Sequence, residues 1–326
     1  MAEMIRTVKP SGGDYTTLRA WEAGRQGNLP SDGNIEIADC YSLEDVLTVY
    51  IVGWTTDADN YPVIRGAGSD KTSSNTGKWS TERYRMVLPS ADSAKLEIEE
   101  AYVRIDGIQM EVTFDSITTA YVMRLWGEAD YVLISNSIFK VILSGTNSDL
   151  WGIYAGADDV KIWNCVFYDF INSTDSVAGI NIKTAIGYVY NCTFHNCFEG
   201  IKSDVNECIA VNNLFVGCTS PCGGDTFLAG TDYNATDGAT IDYTVTGSGN
   251  THDQVDQEVT FVNEGGDDFH LASNDVGAMD LGKSDPGSGL FSDDIDGVVR
   301  TGAWDIGADE YVAVADSWIP RVIFIG

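Results

Sequence analysis

A four-residue signature, asparagine with phenylalanine three positions later, recurs through the middle of the chain and limits its fold more than any other feature. It reads NSIF at 136–139, NCVF at 164–167, NCTF at 191–194 and NNLF at 212–215, with a degenerate GIQM at 107–110. Successive starts lie 29, 28, 27 and 21 residues apart, too uneven to mark a repeat alone. A second feature keeps a constant distance. Gly152, Gly179 and Gly200, each followed by isoleucine, stand 12 residues before Asn164, Asn191 and Asn212. Arg124-Leu125 and Lys95-Leu96 hold the same offset before Asn136 and Gly107. One half of each repeat is therefore rigid in length and the other half takes the insertions.

A period of roughly 20–30 residues indicates a solenoid rather than a single compact core. Between the Gly and the Asn the residues alternate and favour β-branched or aromatic types, as in VKIWNCVF, YVLISNSIF and IAVNNLF. That is a strand pattern with no 3.6-residue stripe. Leucine-rich spacing and amphipathic helical runs are both missing, so a parallel β-helix is expected. Asparagine tolerates left-handed backbone, so Asn136, Asn164, Asn191 and Asn212 would turn the chain at one shared corner and pair their amides between coils. Parity then points Val103, Ile105, Val132, Ile134, Val160 and Ile162 inward before the corner. After it, Ser137, Cys165 and Cys192 point inward, with Phe139, Phe167, Phe194 and Phe215 forming one internal stack at the ~4.8 Å strand spacing. Cys197 and Cys218 should also stack. The seven cysteines show no zinc spacing and are an odd number, so they are read as buried free thiols, with one local disulfide at most.

The ends break the pattern. Residues 1–33 are expected to form an N-terminal capping segment with a short helix over 16–23, started by Asp14 or Thr16. Residues 34–220 would hold the coils, beginning with strands at NIEIADCY and YPVIRGAG, and 69–83 reads as an exposed loop. Residues 221–326 would hold the last irregular coils and an Asp/Gly-rich cap. That last third carries 20 acidic side chains against 3 basic ones. Over the whole chain 49 acidic residues face 19 basic ones, a net charge of −30. Such a surface repels phosphates, which argues against nucleic-acid binding, and no apolar run is long enough to cross a bilayer. The start has no apolar segment after its charges, so no conventional secretion signal is expected.

On these motifs the chain resembles the pectate-lyase-like right-handed parallel β-helix superfamily. Its opening TVKPSGGDYTTLRAWEA and closing FVNEGGDDFHLASNDVGAMDLG…DIDGVVRTGAWDIGADEY resemble segments of phage and bacterial β-helix repeat proteins. The resemblance implies an all-β, single-stranded right-handed solenoid with a short N-terminal helical cap and an irregular C-terminal cap. It also implies functions from lyases and polygalacturonases to tailspikes and adhesins. Polygalacturonase-like members carry paired carboxylates, a Gly-His-Gly and an Arg-x-Lys. Here Asp158-Asp159 is the only acidic doublet within the clean coils, and neither other motif follows.

Glu128, Asp158, Lys183 and Asp204 would decorate neighbouring positions of one wall of the solenoid, as solvated side chains or as a catalytic group. The three histidines, His195, His252 and His270, have no evident partner in sequence, and His195 is expected at the surface. The carboxylates of 293–296 and 305–310 suit a hard cation, calcium being the one considered, or equally a turn-and-cap structure. The GSGN (247–250) and DPGSG (285–289) segments read as turns.

The leading expectation is a non-enzymatic structural or adhesive protein, a homotrimeric capsid decoration or tailspike-like virion component. It would reach the particle or cell surface after assembly in the host cytoplasm. The closing DSWIPRVIFIG would dock on another subunit or seal the last coil. The alternative is a polysaccharide lyase or glycoside hydrolase acting on the β-helix wall near Asp158. Tyr154, Trp163, Tyr168, Tyr188 and Tyr190 would then stack on sugars, or else serve subunit contacts. No residue is assigned a catalytic, cofactor-binding or metal role.

Overall fold

The computed structural model describes residues 2–68, 77–88, 94–114, 119–143, 149–171, 176–183, 186–204, 207–247 and 250–313. The DSWIPRVIFIG segment, Ser248 and Gly249 of the GSGN turn and residues 69–76 of the 69–83 loop lie outside these residues.

Three all-parallel sheets stack their strands coil upon coil, forming a right-handed β-helix. The sheet leading into the asparagine corner has eight strands, from Ala2–Val8 and Asn34–Cys40 through Val160–Trp163 to Cys208–Val211. The sheet leaving the corner also has eight, among them Ile138–Leu143, Val166–Tyr168, Thr193–His195 and Leu214–Val216. A third sheet of seven includes Thr119–Leu125, Asp149–Ala155, Val177–Ile182 and Glu199–Ser203.

The corner is built as the motif requires. Asn136, Asn164, Asn191 and Asn212 have φ of 50°, 50°, 46° and 59°. Just past them, Phe139, Phe167, Phe194 and Phe215 are in register and fully buried, with centroids 4.8, 5.1 and 5.0 Å apart and planes within 14°. Val132, Ile134, Val160 and Ile162 face the same core. All seven cysteines are free; six are buried and Cys218 is half-buried.

The constant Gly-to-Asn distance has a steric cause. A Cβ on Gly179 would lie 2.9 Å from the Phe194 ring, and one on Gly200 would lie 2.4 Å from that of Phe215. Glycine in the third sheet thus makes room for the aromatic stack across the narrow core, and the two must stay in phase.

At the N-terminus the helix is Leu18–Arg25 and starts later than expected: Thr17 caps it, its Oγ1 accepting from the Ala20 amide at 3.1 Å. Asp14 instead accepts from the Thr7 amide at 2.8 Å. Leu18 and Trp21 are fully buried, with Trp21 against Trp54 at 5.5 Å, so the helix closes the core. Ala2–Val8 pairs with Asn34–Cys40 and belongs to the solenoid, which residue pattern alone does not reveal.

Past Ala235–Thr236 one irregular turn still stacks on the coils, through the parallel bridges Phe227–Val245 and Ala235–Gln254, before the chain returns along the outside. A hairpin of Phe261–Asn263 and Asp268–Leu271 precedes it. Ile295, Ile306 and Ala308 then pack on the outward faces of Ile138, Val166 and Leu214, while Phe291 and Trp304 pack on Trp163, Tyr190 and Val211. This strap lies over the asparagine corner. The amide ladder runs from Asn164 to Asn136 and from Asn212 to Asn191, each at 3.2 Å. Between these pairs the strap intervenes: Arg300 donates to Asn164 Oδ1 at 3.2 Å, and Asn191 donates to the Asp305 and Gly307 carbonyls. Arg300 is buried and also donates to the carbonyls of Gly307 and Ala308 and to Glu310.

Candidate functional site

Where the strap leaves the wall, a cavity of about 550 Å³ opens at the corner edge of the sheet that leads into it. Its wall side is an outward column of that sheet, Asp106–Ser135–Trp163, in register from coil to coil and continued by Arg65 beyond the cavity. Its strap side is the 285–293 segment with Trp304. An adjoining space of about 310 Å³ continues toward Arg65 and Arg104 and shares Asp106, Ser135 and Trp163 with the first. The two make one groove.

Three carboxylates line the groove. Asp106 Oδ1 accepts from Asn136 Nδ2 at 2.8 Å and from Ser135 Oγ at 3.1 Å, which fixes its orientation. Asp285 Oδ1 accepts from the Gly289 amide at 2.6 Å and shapes its own turn. Asp293 is held through its backbone, its carbonyl accepting from Asn164 Nδ2 at 2.8 Å, which leaves its half-buried carboxylate toward the groove. Asn164 in turn donates to Asn136, so a chain of hydrogen bonds links Asp106 to Asp293 across two coils, ~10 Å of solenoid. Aromatic walls close the site: Trp163 stacks on Phe291 at 5.8 Å, and Phe291 meets Trp304 at 5.4 Å.

A second constellation sits on the strap's other flank. One ligand atom each from His270, Asp296 and Asp309 lies within 4.8 Å of the others. His270 Nε2 is 3.0 Å from Asp296 Oδ2, and Nδ1 is 2.5 Å from Asp268 Oδ1, which also meets Lys78 through its other oxygen at 3.2 Å. The Gly77 amide donates to Asp296 Oδ1, and the Leu271 amide to Asp309 Oδ2 at 2.8 Å. Burial opposes a charge on His270, but Asp296, Asp309 and Asp268 overcome it and raise the imidazole to about 10. Burial pushes Asp309 up to about 7. This group is compatible with a bound metal ion.

The expected positions fare differently. Asp158 is exposed and its Oδ1 accepts from the Asp159 and Ile186 amides, so it shapes turns at the far edge of the wall from the groove. Glu128 is exposed, and Lys183 pairs with Asp204 at 2.8 Å. Of the proposed stacking aromatics, Trp163 lines the groove. Tyr168 and Tyr190 lie under the chain's own C-terminal segment, against Phe269 and Phe291 respectively, instead of awaiting another subunit. Tyr154 belongs to the third sheet's outer face with Trp151 and Tyr121.

Each histidine has a carboxylate partner, contrary to the sequence impression: His195 meets Glu264 at 2.6 Å and His252 meets Asp232 at 2.7 Å. These partners lie 69 and 20 residues away in sequence. The acidic stretches 293–296 and 305–310 are mostly turn-and-cap structure. Asp294 accepts from the Asp296 and Val298 amides, and Asp305 from those of Asp280 and Tyr311. One residue from each stretch, Asp296 and Asp309, joins His270. Asp106 could have been singled out, because it puts an outward carboxylate where later coils put Ser135, Trp163 and Tyr190.

No family model matches the chain, and no curated protein matches it. Among solved structures, a rhamnogalacturonan lyase is similar in fold at 12% identity and a TM-score of 0.42. The alignment covers 77% of this chain and 62% of that one, so the chain spans under two thirds of that enzyme. At this level the likeness carries no argument about activity. The phage-protein resemblance finds no support. The expectation of a non-enzymatic capsid decoration or tailspike component is corrected: the structure assembles His270, Asp296 and Asp309 into a group of the kind that holds a metal ion or serves catalysis.

Proposed function

We propose that this β-helix is a polysaccharide-cleaving enzyme of the glycoside hydrolase type, with its glycan in the groove between the corner and the strap. The observation that carries the reading is the cavity in which Asp106, Asp285 and Asp293 stand among Trp163, Phe291 and Trp304. Aromatic faces suit the apolar faces of sugar rings, and carboxylates suit their hydroxyls. Two carboxyl groups with room for water between them supply acid and base for inverting hydrolysis, which needs them ~6.5–9.5 Å apart. Asp106, oriented by two donors, is assigned the base that activates water. Asp293, with the less constrained carboxyl, is assigned the acid that protonates the leaving oxygen. The relevant position on this wall is therefore the corner edge, rather than the Asp158 edge.

The His270–Asp296–Asp309 group is proposed to hold a divalent cation. Calcium prefers a shell of 6–8 oxygens, whereas one imidazole nitrogen with two carboxylates fits a borderline cation such as zinc better. Asp268 on Nδ1 orients the ring as an outer partner of a metal-binding histidine does. Such an ion would join the hairpin to the strap.

The test is release of new reducing ends or unsaturated products from a panel of polysaccharides. The wild-type protein is expected to cleave at least one, and Asp106→Asn to lose about 10²-fold or more of that rate while keeping its melting temperature. Turnover unaffected by Asp106→Asn and Asp293→Asn would remove the assignment.

A further inference from the structure

The groove's far end contains an arginine with no counter-charge among the described residues. In a chain with 49 acidic and 19 basic residues, a guanidinium should find a carboxylate easily, and most do. Arg6 and Arg25 meet Glu36, Arg65 meets Asp39, Arg85 meets Glu44, Arg124 meets Glu97 and Arg300 meets Glu310. Arg104 has no ion pair among the described residues, and its buried Nε has no hydrogen-bond acceptor. The side chain is nevertheless held in place. Its guanidinium lies 4.0 Å over the Tyr61 ring, and its strand is paired on both sides, to Val63 and Leu133. It lines the groove beside Arg65 and Asp106.

A fixed guanidinium that lines a groove without an ion pair is a half-made recognition site, since a ligand oxyanion would supply the counter-charge missing among the described residues. We propose that Arg104 binds an anionic group on the saccharide, a sulfate ester or a carboxylate, and so selects a charged glycan despite the protein's acidic surface. This deepens, and rests on, the reading of the groove as the glycan site. The surface charge then becomes part of the selectivity: polyanions are repelled everywhere except where an anionic substituent meets Arg104 in a partly closed space.

The experiment measures binding of the full chain to sulfated oligosaccharides, their desulfated counterparts, uronate oligosaccharides and neutral ones, at two salt concentrations. Wild type should bind sulfated or uronate probes at least tenfold more tightly than neutral ones, with affinity falling as salt rises. Arg104→Gln should abolish that preference without weakening the neutral probes, and Arg104→Lys should restore only part of it. Sulfated and uronate arms separate the two sources of charge. Equal binding of charged and neutral probes, no binding of any anionic probe, or a preference unchanged in Arg104→Gln would each overturn the proposal. Because binding is read apart from turnover, Arg104-dependent binding without cleavage would leave this inference standing and remove the hydrolase assignment. Cleavage of neutral glycans alone would do the reverse.

Discussion

At the residue scale, His270 shows how the acidic C-terminal third is organised. It is drawn between Asp268 and Asp296, with Asp309 near, and it connects the hairpin to the strap. If the group takes a borderline divalent ion, adding zinc to the full protein should raise its melting temperature by several degrees, and chelation should reverse the shift. Calcium should give a smaller effect. His270→Gln should lose the response; a zinc shift of the same size in that variant would exclude the site. The histidine's importance is not legible in sequence. Asp268 stands two residues before it, but Asp296 and Asp309 come from DDIDG and GADE, which only the strap's path brings to it.

At the scale of elements, the β-helix is written in the chain because stacking makes residues equivalent. Each coil places its Asn at the corner and its Phe on the stack, so one physical requirement is repeated and becomes visible as a motif. Gly200 tests this reading. Replacing it by alanine drives a Cβ to 2.4 Å from the Phe215 ring and 2.6 Å from the Pro221 carbonyl, so Gly200→Ala should destabilise the protein by about 1–3 kcal/mol in denaturant unfolding. Gly265→Ala, with nothing within 4 Å of the new methyl, should be close to neutral. Equal stability of the two variants would mean that the glycine–phenylalanine phase does not set the repeat. The strap has no such repetition. Each of its contacts occurs once, so Phe291, Trp304 and Arg300 carry no sequence signal of where they dock, and the groove they form with Asp106 was hidden for the same reason.

At the scale of the whole molecule, the strap concentrates buried carboxylates around one arginine. Burial raises Asp305 to about 6 from its ordinary 3.8, with the nearby Glu310 adding to the effect. A carboxyl raised on folding contributes stability that is complete below its unfolded value and is lost as pH climbs through the folded one. For Asp305 that window runs from about 3.8 to about 6. Relief of the −30 self-repulsion acts in the same direction. The melting temperature should therefore rise as pH is lowered from 7.5 to 5, and Asp305→Asn should flatten part of that slope. A melting temperature that falls over this range would contradict the account. Asp268, whose carboxyl is held low by His270 and Lys78 against the effect of burial, works the other way, and its loss of charge should limit the gain at stronger acid.

The wall, the corner and the strap meet in the groove, and the functional account depends on a glycan lying there. Hydrogen exchange of the full protein, with and without an oligosaccharide that it binds, reports this directly. Protection is predicted at 104–106, 133–136 and 285–293, with the third sheet unchanged. Protection confined to the third sheet's outer face, or to the Asp158 edge, would contradict it.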